Sequence, residues 1–252
     1  MIKKIFTLCA ILSLAFLNNS NAQLRLAGGV GLDLFTSKYI VDDNIDSIDL
    51  KDYHNGAFNA APHINLGIDI GDRVRILTGI DMQKRTDNYD FSYYFGIGSP
   101  SKVLTTVTNY TTIPLSVTCN LTAKDSKSRL PIGLGIDFSS LKKVTYSSSD
   151  LTSLFGTPLP VTYSKGDSAI KDISSSMTSY IFTIGYGYKI NDYLGIDALL
   201  FAKYDSKSFD TSVTEYNQFA TAGGNITIFY LFDLGKKRSE EHTSELQSPC
   251  NL

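Results

Sequence analysis

Apolar and polar residues alternate with a period of two through most of this chain, the pattern of strands whose two faces meet different surroundings. In QLRLAGGVGLDLF, Leu24, Leu26, Val30, Leu32 and Leu34 share one face, and Arg25, Ala27, Gly29, Gly31 and Asp33 share the other. APHINLGIDIG repeats the scheme with Ile64, Leu66, Ile68 and Ile70 against His63, Asn65, Gly67 and Asp69. RVRILTGIDMQKR sets Val74, Ile76, Ile80 and Met82 against Arg73, Arg75, Gly79, Asp81 and Gln83. YTTIPLSVTCNL, LPIGLGIDF, SYIFTIGYGYKI, DYLGIDALLFAKY and FATAGGNITIFYLF follow, the fourth of these less regular because Leu199 and Phe201 interrupt its polar face.

These eight runs each predict a strand of about 9 to 11 residues, the length that crosses a bilayer at a tilt. The connections alternate in length. Segments 71–73, 122–129 and 190–192 are short, whereas 36–60, 86–107, 143–176 and 205–217 are long and rich in Asp, Ser, Thr, Asn and Tyr. With an even strand count, the short turns fall on the side of the termini and the long loops on the other. The expected fold is all-β, an eight-stranded antiparallel up-and-down transmembrane β-barrel.

A soluble barrel also has one apolar and one polar face, so the polar face must decide. It carries Gly29, Gly31, Gly67, Gly79, Gly133, Gly135, Gly185 and Gly187. Glycine weakens a strand that faces water, but small residues suit a lumen just wide enough for side chains to fill. The same face carries Arg25, Arg73, Arg75, Arg85 and Lys203 with Asp33, Asp69, Asp81, Asp137 and Asp197, and also His63. This balanced set is expected to fill the lumen as a structural network rather than line a gated pore. Tyr186, Tyr188, Tyr230 and Phe232 end descending strands and are expected to form an aromatic girdle at the turn side, with Phe138, Tyr180 and Phe182 towards the loops.

The ends differ from the body. Residues 1–22 have a basic start, an apolar run and a Ser20-Asn21-Ala22 end, the layout of a cleavable signal peptide for the general secretory pathway. Residues 238–252, with His242 and Cys250, show no alternation; RSEEHTSELQSP resembles the translation of a common sequencing adapter, so this segment is expected to be an artefact or a disordered tail. The barrel domain is thus expected over 23–237.

A net charge of −2 gives no basic field for nucleic acid, and a mean hydropathy of −0.04 gives no helical membrane protein. Cys119 is the body's one cysteine, which makes no disulfide framework. His54, in DYHNG, is expected to be a solvated loop histidine, and His63 a hydrogen-bonded filler. VDDNIDSIDLKD lacks the spacing of a calcium loop, and GIGSP and AGG lack that of a nucleotide loop. No catalytic residue, metal or cofactor is indicated.

The run YTTIPLSVTCNL, through Ile113, Pro114 and Leu115, resembles the PorT-like outer-membrane β-barrel family, as do GLGIDF and the strand ending Tyr230-Leu231-Phe232. The resemblance spans about residues 23 to 234, and extends to relatives of the OmpX and OmpA transmembrane type. It implies an eight-stranded barrel in the outer membrane of a Gram-negative cell, without enzyme activity. Pro114 lacks a ladder N–H, so a bulge or a water-bonded carbonyl is expected opposite it. The expected role is a surface anchor whose partners are outer-membrane lipid, lipopolysaccharide or another envelope or extracellular protein reached through loops 36–60, 86–107, 143–176 and 205–217. A small passive pore, a secretion or assembly component and a lipid-modifying enzyme are the alternatives.

Overall fold

The computed structural model describes residues 24–40, 54–71, 73–90, 103–123, 126–148, 153–154, 157–171, 173–206 and 218–234. Eight long strands make the body: β1 (Leu24–Ile40), β2 (Phe58–Ile70), β3 (Val74–Asp90), β4 (Val103–Asn120), β5 (Pro131–Ser148), β6 (Ser176–Lys189), β7 (Leu194–Asp205) and β8 (Gln218–Asp233). Each pairs antiparallel with the strand before it, and β8 pairs with β1, so the sheet closes.

The register fixes the barrel's shape. A circuit perpendicular to the strands runs from Leu26 through Ile68, Ile76, Val117, Leu134, Phe182, Ala202 and Ala222, and returns to β1 at Thr36, ten residues beyond its start. With a rise of about 3.3 Å and a strand spacing of about 4.8 Å, that shear over eight strands tilts them by about 41° and sets a backbone radius of about 8 Å. Side chains fill most of so narrow a lumen.

The alternation maps onto this wall as read from the sequence. Val30, Ile64, Leu66, Ile80, Met82, Leu200 and Ile226 are each more than half exposed, and they belong to a belt of apolar side chains around the outside. Along β1 the belt runs from Leu24 to Leu34, which at this tilt spans about 25 Å of height, the apolar band of a membrane barrel. The chain is therefore an eight-stranded up-and-down transmembrane barrel.

The strands are longer than the membrane crossing requires, at 12 to 18 residues instead of the expected 9 to 11. Residues 36–40, 86–90, 103–107 and 143–148, expected in loops, continue β1, β3, β4 and β5. Above the belt both faces of a strand are polar, so the alternation fades while Thr, Tyr and Val still favour extended backbone. Val161–Ser164 pairs with β5 beyond the point where β6 leaves it, at Lys143 to Tyr146.

Of the bulge or water-bonded carbonyl expected opposite Pro114, the bulge does not form. The register of Pro114 with β5 is regular, opposite Asp137. Towards β3 the ladder opens instead: Thr78 pairs with Leu115 and Asp81 with Thr112, while Gly79 and Ile80 form no pair with Pro114 and Ile113, and the register is unchanged. Among the described residues two bulges do occur, both above the belt. On β5, Lys142 is an extra residue between the pairs Asn109–Lys143 and Tyr110–Leu141. Before β2, Ala57 breaks the strand, and Asn59 staples the break by donating to the Ala57 carbonyl at 2.9 Å and accepting from the Thr86 N–H at 2.9 Å.

Candidate functional site

Polar side chains fill the lumen in three layers. Seven of the nine aspartates on the eight strands are buried, namely Asp33, Asp69, Asp81, Asp87, Asp137, Asp197 and Asp205. Their partners are chosen by chemistry. Arg25, Arg75, Arg85 and Arg129 are buried with them, since a planar guanidinium satisfies two carboxylate oxygens at once.

The layer at the turn end is centred on Arg75. It donates through Nε and Nη2 to the two oxygens of Asp69, the latter bond at 2.8 Å, and through Nη1 to Asp197 at 2.7 Å. Arg129 donates to the other oxygen of Asp197 at 2.6 Å, and the Arg75 guanidinium lies 4.2 Å over the Phe229 ring. Arg25 donates to the Asp192 carbonyl at 3.3 Å and closes the mouth on that side. Arg73 stands apart from this set, exposed in the turn before β3, where its backbone accepts from the Asn120 N–H.

The middle layer draws on β1, β2, β3, β5, β7 and β8. The Thr227 hydroxyl donates to Asn225 at 2.7 Å, so His63 Nε2, 2.9 Å from the same oxygen, acts as donor to it. His63 Nδ1 lies 3.3 Å from Asp33, which also accepts from Asn225. Lys203 donates to Asp137 at 2.8 Å. Asp33, Asp81 and Asp137 with Lys203 line a cavity of about 90 Å³ that Pro114 borders from the opened ladder. A cavity of this size with such walls suits a few waters.

The layer at the loop end lies above the apolar belt, and sequence reading assembled little of it. Arg85 donates to Asp87 at 2.9 Å and stacks 3.6 Å over Phe219. His54 Nε2 lies 3.0 Å from the other Asp87 oxygen, with Tyr89 and Phe219 against its ring at centroid distances of 5.4 and 5.8 Å. The expectation of a solvated His54 is thus corrected, because its side chain is 2% exposed. The cause is the break at Ala57, which resumes pairing with β3 at Gly56–Asp87 and puts His54 opposite Tyr89. Ser179 donates to Asp205 at 2.6 Å. Burial pushes the Asp87 carboxyl up, but Arg85 and His54 outweigh it and hold the group below the usual carboxylate range. For Asp205 burial wins over Arg85 and Ser179, and its affinity for a proton is raised.

Arg85 was legible on the sequence, and Asp87, two residues on, continues its face. Asp87 and Asp205 were missed because their segments read as loops, and Arg129 because it read as part of a turn. Among the described residues, no group of three His, Cys, Asp or Glu side chains is arranged to hold a metal.

At the turn end the outer wall carries Tyr186, Tyr188, Tyr230 and Phe232, all exposed. Tyr230 contacts Phe232 at 4.6 Å and stacks on Tyr193 at 6.3 Å. Ile113 and Leu115 face outward from the belt, and Pro114 faces the lumen. The signal-like segment 1–22, the tail 238–252 and most of the long connections lie outside the described residues.

No family model matches the chain, and no curated protein matches it. Among solved structures it is similar to surface protein A of Neisseria, at 14% identity over 81% of this chain and 97% of that one, with a TM-score of 0.43. It is similar to Ail, the attachment invasion locus protein of Yersinia pestis, at 10% identity over 82% and 99%, with a TM-score of 0.39. The outer-membrane protein OprG of Pseudomonas aeruginosa matches at 10% identity over 84% and 97%, with a TM-score of 0.38. Likeness of this degree says nothing about activity.

Proposed function

We propose that this chain is a non-enzymatic outer-membrane barrel, akin to the PorT-like family, that anchors a loop-bearing surface in the bilayer. The observation that carries the reading is the pairing of an apolar belt outside with a three-layered polar plug inside. Bonded charges that cross a lumen of ~8 Å backbone radius obstruct a water path, which argues against the passive pore. The burial of His54 under Tyr89 and Phe219 keeps it from a lipid substrate, which argues against the lipid-modifying enzyme.

What remains for function is the loop end. There β3, β4 and β5 rise past the belt by about eight to ten residues, or about 20 to 25 Å, as a sheet rich in Thr, Ser, Asn and Tyr that stiffens the base of the long connections. Residues 1–22 direct export, and the loops meet lipopolysaccharide or an envelope or extracellular protein. The test is fractionation of cells that express the protein, surface labelling of a tag placed in 91–102, and single-channel recording of the purified barrel. Outer-membrane recovery, labelling on intact cells and no steady conductance are expected; a stable open level supports the pore instead.

A further inference from the structure

Charge is sorted across the barrel wall. Lys203 is the one lysine of the described strands that points into the lumen, bonded to Asp137. Lys84, Lys142 and Lys143 are exposed at the loop-end rim of β3 and β5, and Lys165 is exposed beside them. No aspartate or glutamate stands among them on the described outer face of β3, β4 and β5 at this level, and exposed Asp167, two residues after Lys165, accepts from the Ala169 N–H.

The register draws these lysines together. Lys84 pairs with Asn109 and Asn109 with Lys143, so one outward row crosses three adjacent strands, and strand spacing puts the two lysine Cα atoms about 10 Å apart. The β5 bulge adds Lys142 to the same rim. Lys165 follows Val161–Ser164: its N–H donates to the Lys142 carbonyl at 2.9 Å, and its Nζ to Ser140 at 3.1 Å. Because perpendicular rows climb about 3 Å per strand at this tilt, Lys84 is level with Ser140 and the Lys165 ammonium, and Lys142 and Lys143 lie about 6 Å higher.

Directly below come apolar residues. Met82 is 65% exposed, Ile113 52% and Phe138 49%, with polar Thr111 and Ser140 between them and the lysines. The wall thus offers four ammonium groups over hydroxyls and an amide, and then a greasy face. An amphiphile with phosphate groups on a sugar headgroup above acyl chains complements this order; a soluble anion would leave the apolar rows unused, and an acidic protein would have to enter the acyl layer. We infer that the rim formed by Lys84, Lys142, Lys143 and Lys165 binds the phosphorylated disaccharide of lipopolysaccharide in the outer leaflet. The inference rests on the outer-membrane reading above and gives that reading a lipid contact site.

The test titrates the full barrel, refolded in detergent, with rough lipopolysaccharide and with the same lipid after enzymatic removal of its phosphates, binding being read by native mass spectrometry. Tenfold or greater weakening on dephosphorylation is expected, and inorganic phosphate at millimolar concentration should not compete. A variant carrying K84A, K142A, K143A and K165A should lose the same tenfold, and K127A with K189A at the turn end should stay within twofold of the parent. High salt should weaken the parent's binding towards that of the variant. Equal binding of the two lipids by the unaltered protein overturns the inference without any variant; so does equally tight binding of phosphatidylglycerol, or an unchanged affinity in the fourfold variant with normal heat-modifiable mobility. Localisation to another membrane, with the lipid preference intact in vitro, overturns the outer-membrane reading and leaves the site.

Discussion

Replacing Arg75 with Met tests whether the plug is a dry, bonded network. Arg75 makes three charge-assisted bonds, two to Asp69 and one to Asp197, and covers the Phe229 ring. Asp197 keeps Arg129, so the loss falls on Asp69, a buried carboxylate left without its guanidinium. Removing one partner of a buried pair costs about 3 to 5 kcal/mol, and the retained Arg129 bond places Arg75→Met near the lower end, at about 3 kcal/mol. Arg75→Met with Asp69→Leu removes both charges and should recover about 2 kcal/mol of that loss, since an apolar pair of similar volume replaces an ion pair at little cost. The assay is urea unfolding of the barrel in lipid vesicles followed by far-ultraviolet circular dichroism, the chain having no tryptophan. A loss below about 1 kcal/mol for the single variant indicates a solvated arginine and refutes the dry plug, as does a double variant no more stable than the single one.

Other outcomes follow from the wall and the loop end. Val30→Arg, at the middle of the belt and 58% exposed, should destabilise the barrel by about 2 to 4 kcal/mol in vesicles, whereas Lys84→Ala should change it by less than about 0.5 kcal/mol. Gly31→Val should abolish the heat-modifiable band, since a Cβ there would sit 2.3 Å from the Ile226 carbonyl oxygen and 2.4 Å from the His63 ring. The stabilisation from the Asp87 pairing, whose carboxyl is held below its ordinary 3.8, is present in full above that value and lost as pH falls through the folded one; unfolding midpoints should drop in acid, and Asp87→Asn should flatten the drop.

The barrel was legible because a wall between lipid and a packed lumen writes period two into every strand, and glycine at Gly31, Gly67, Gly79 and Gly185 marked the lumen side. Arg25, Asp69, Arg75 and Asp197 of the lower layer lie on that same face, but Arg129 read as part of a turn and Arg73, expected in the network, stands exposed outside it. The loop-end layer was less legible: Asp87 and Asp205 lie where both faces of the strand are polar, so burial there leaves no hydropathy contrast. His54 was hidden further, because its inward position depends on the break at Ala57, whose only local sign is the nearby Asn59. Pro114 marked an irregularity, but the chain opened one ladder and kept its register where a bulge would have flipped every residue beyond it to the other face.

The inward aspartates also constrain how the barrel enters a membrane. An open, half-built sheet in the hydrocarbon would show Asp33, Asp69, Asp81, Asp137 and Asp197 to acyl chains, beside the unpaired edges of β1 and β8. Only the β1–β8 seam hides both liabilities, and it extends over sixteen residue pairs, from Arg25–Asp233 to Ile40–Gln218. Insertion is therefore coupled to closure: the last ladder to form is the one that makes the molecule soluble in lipid.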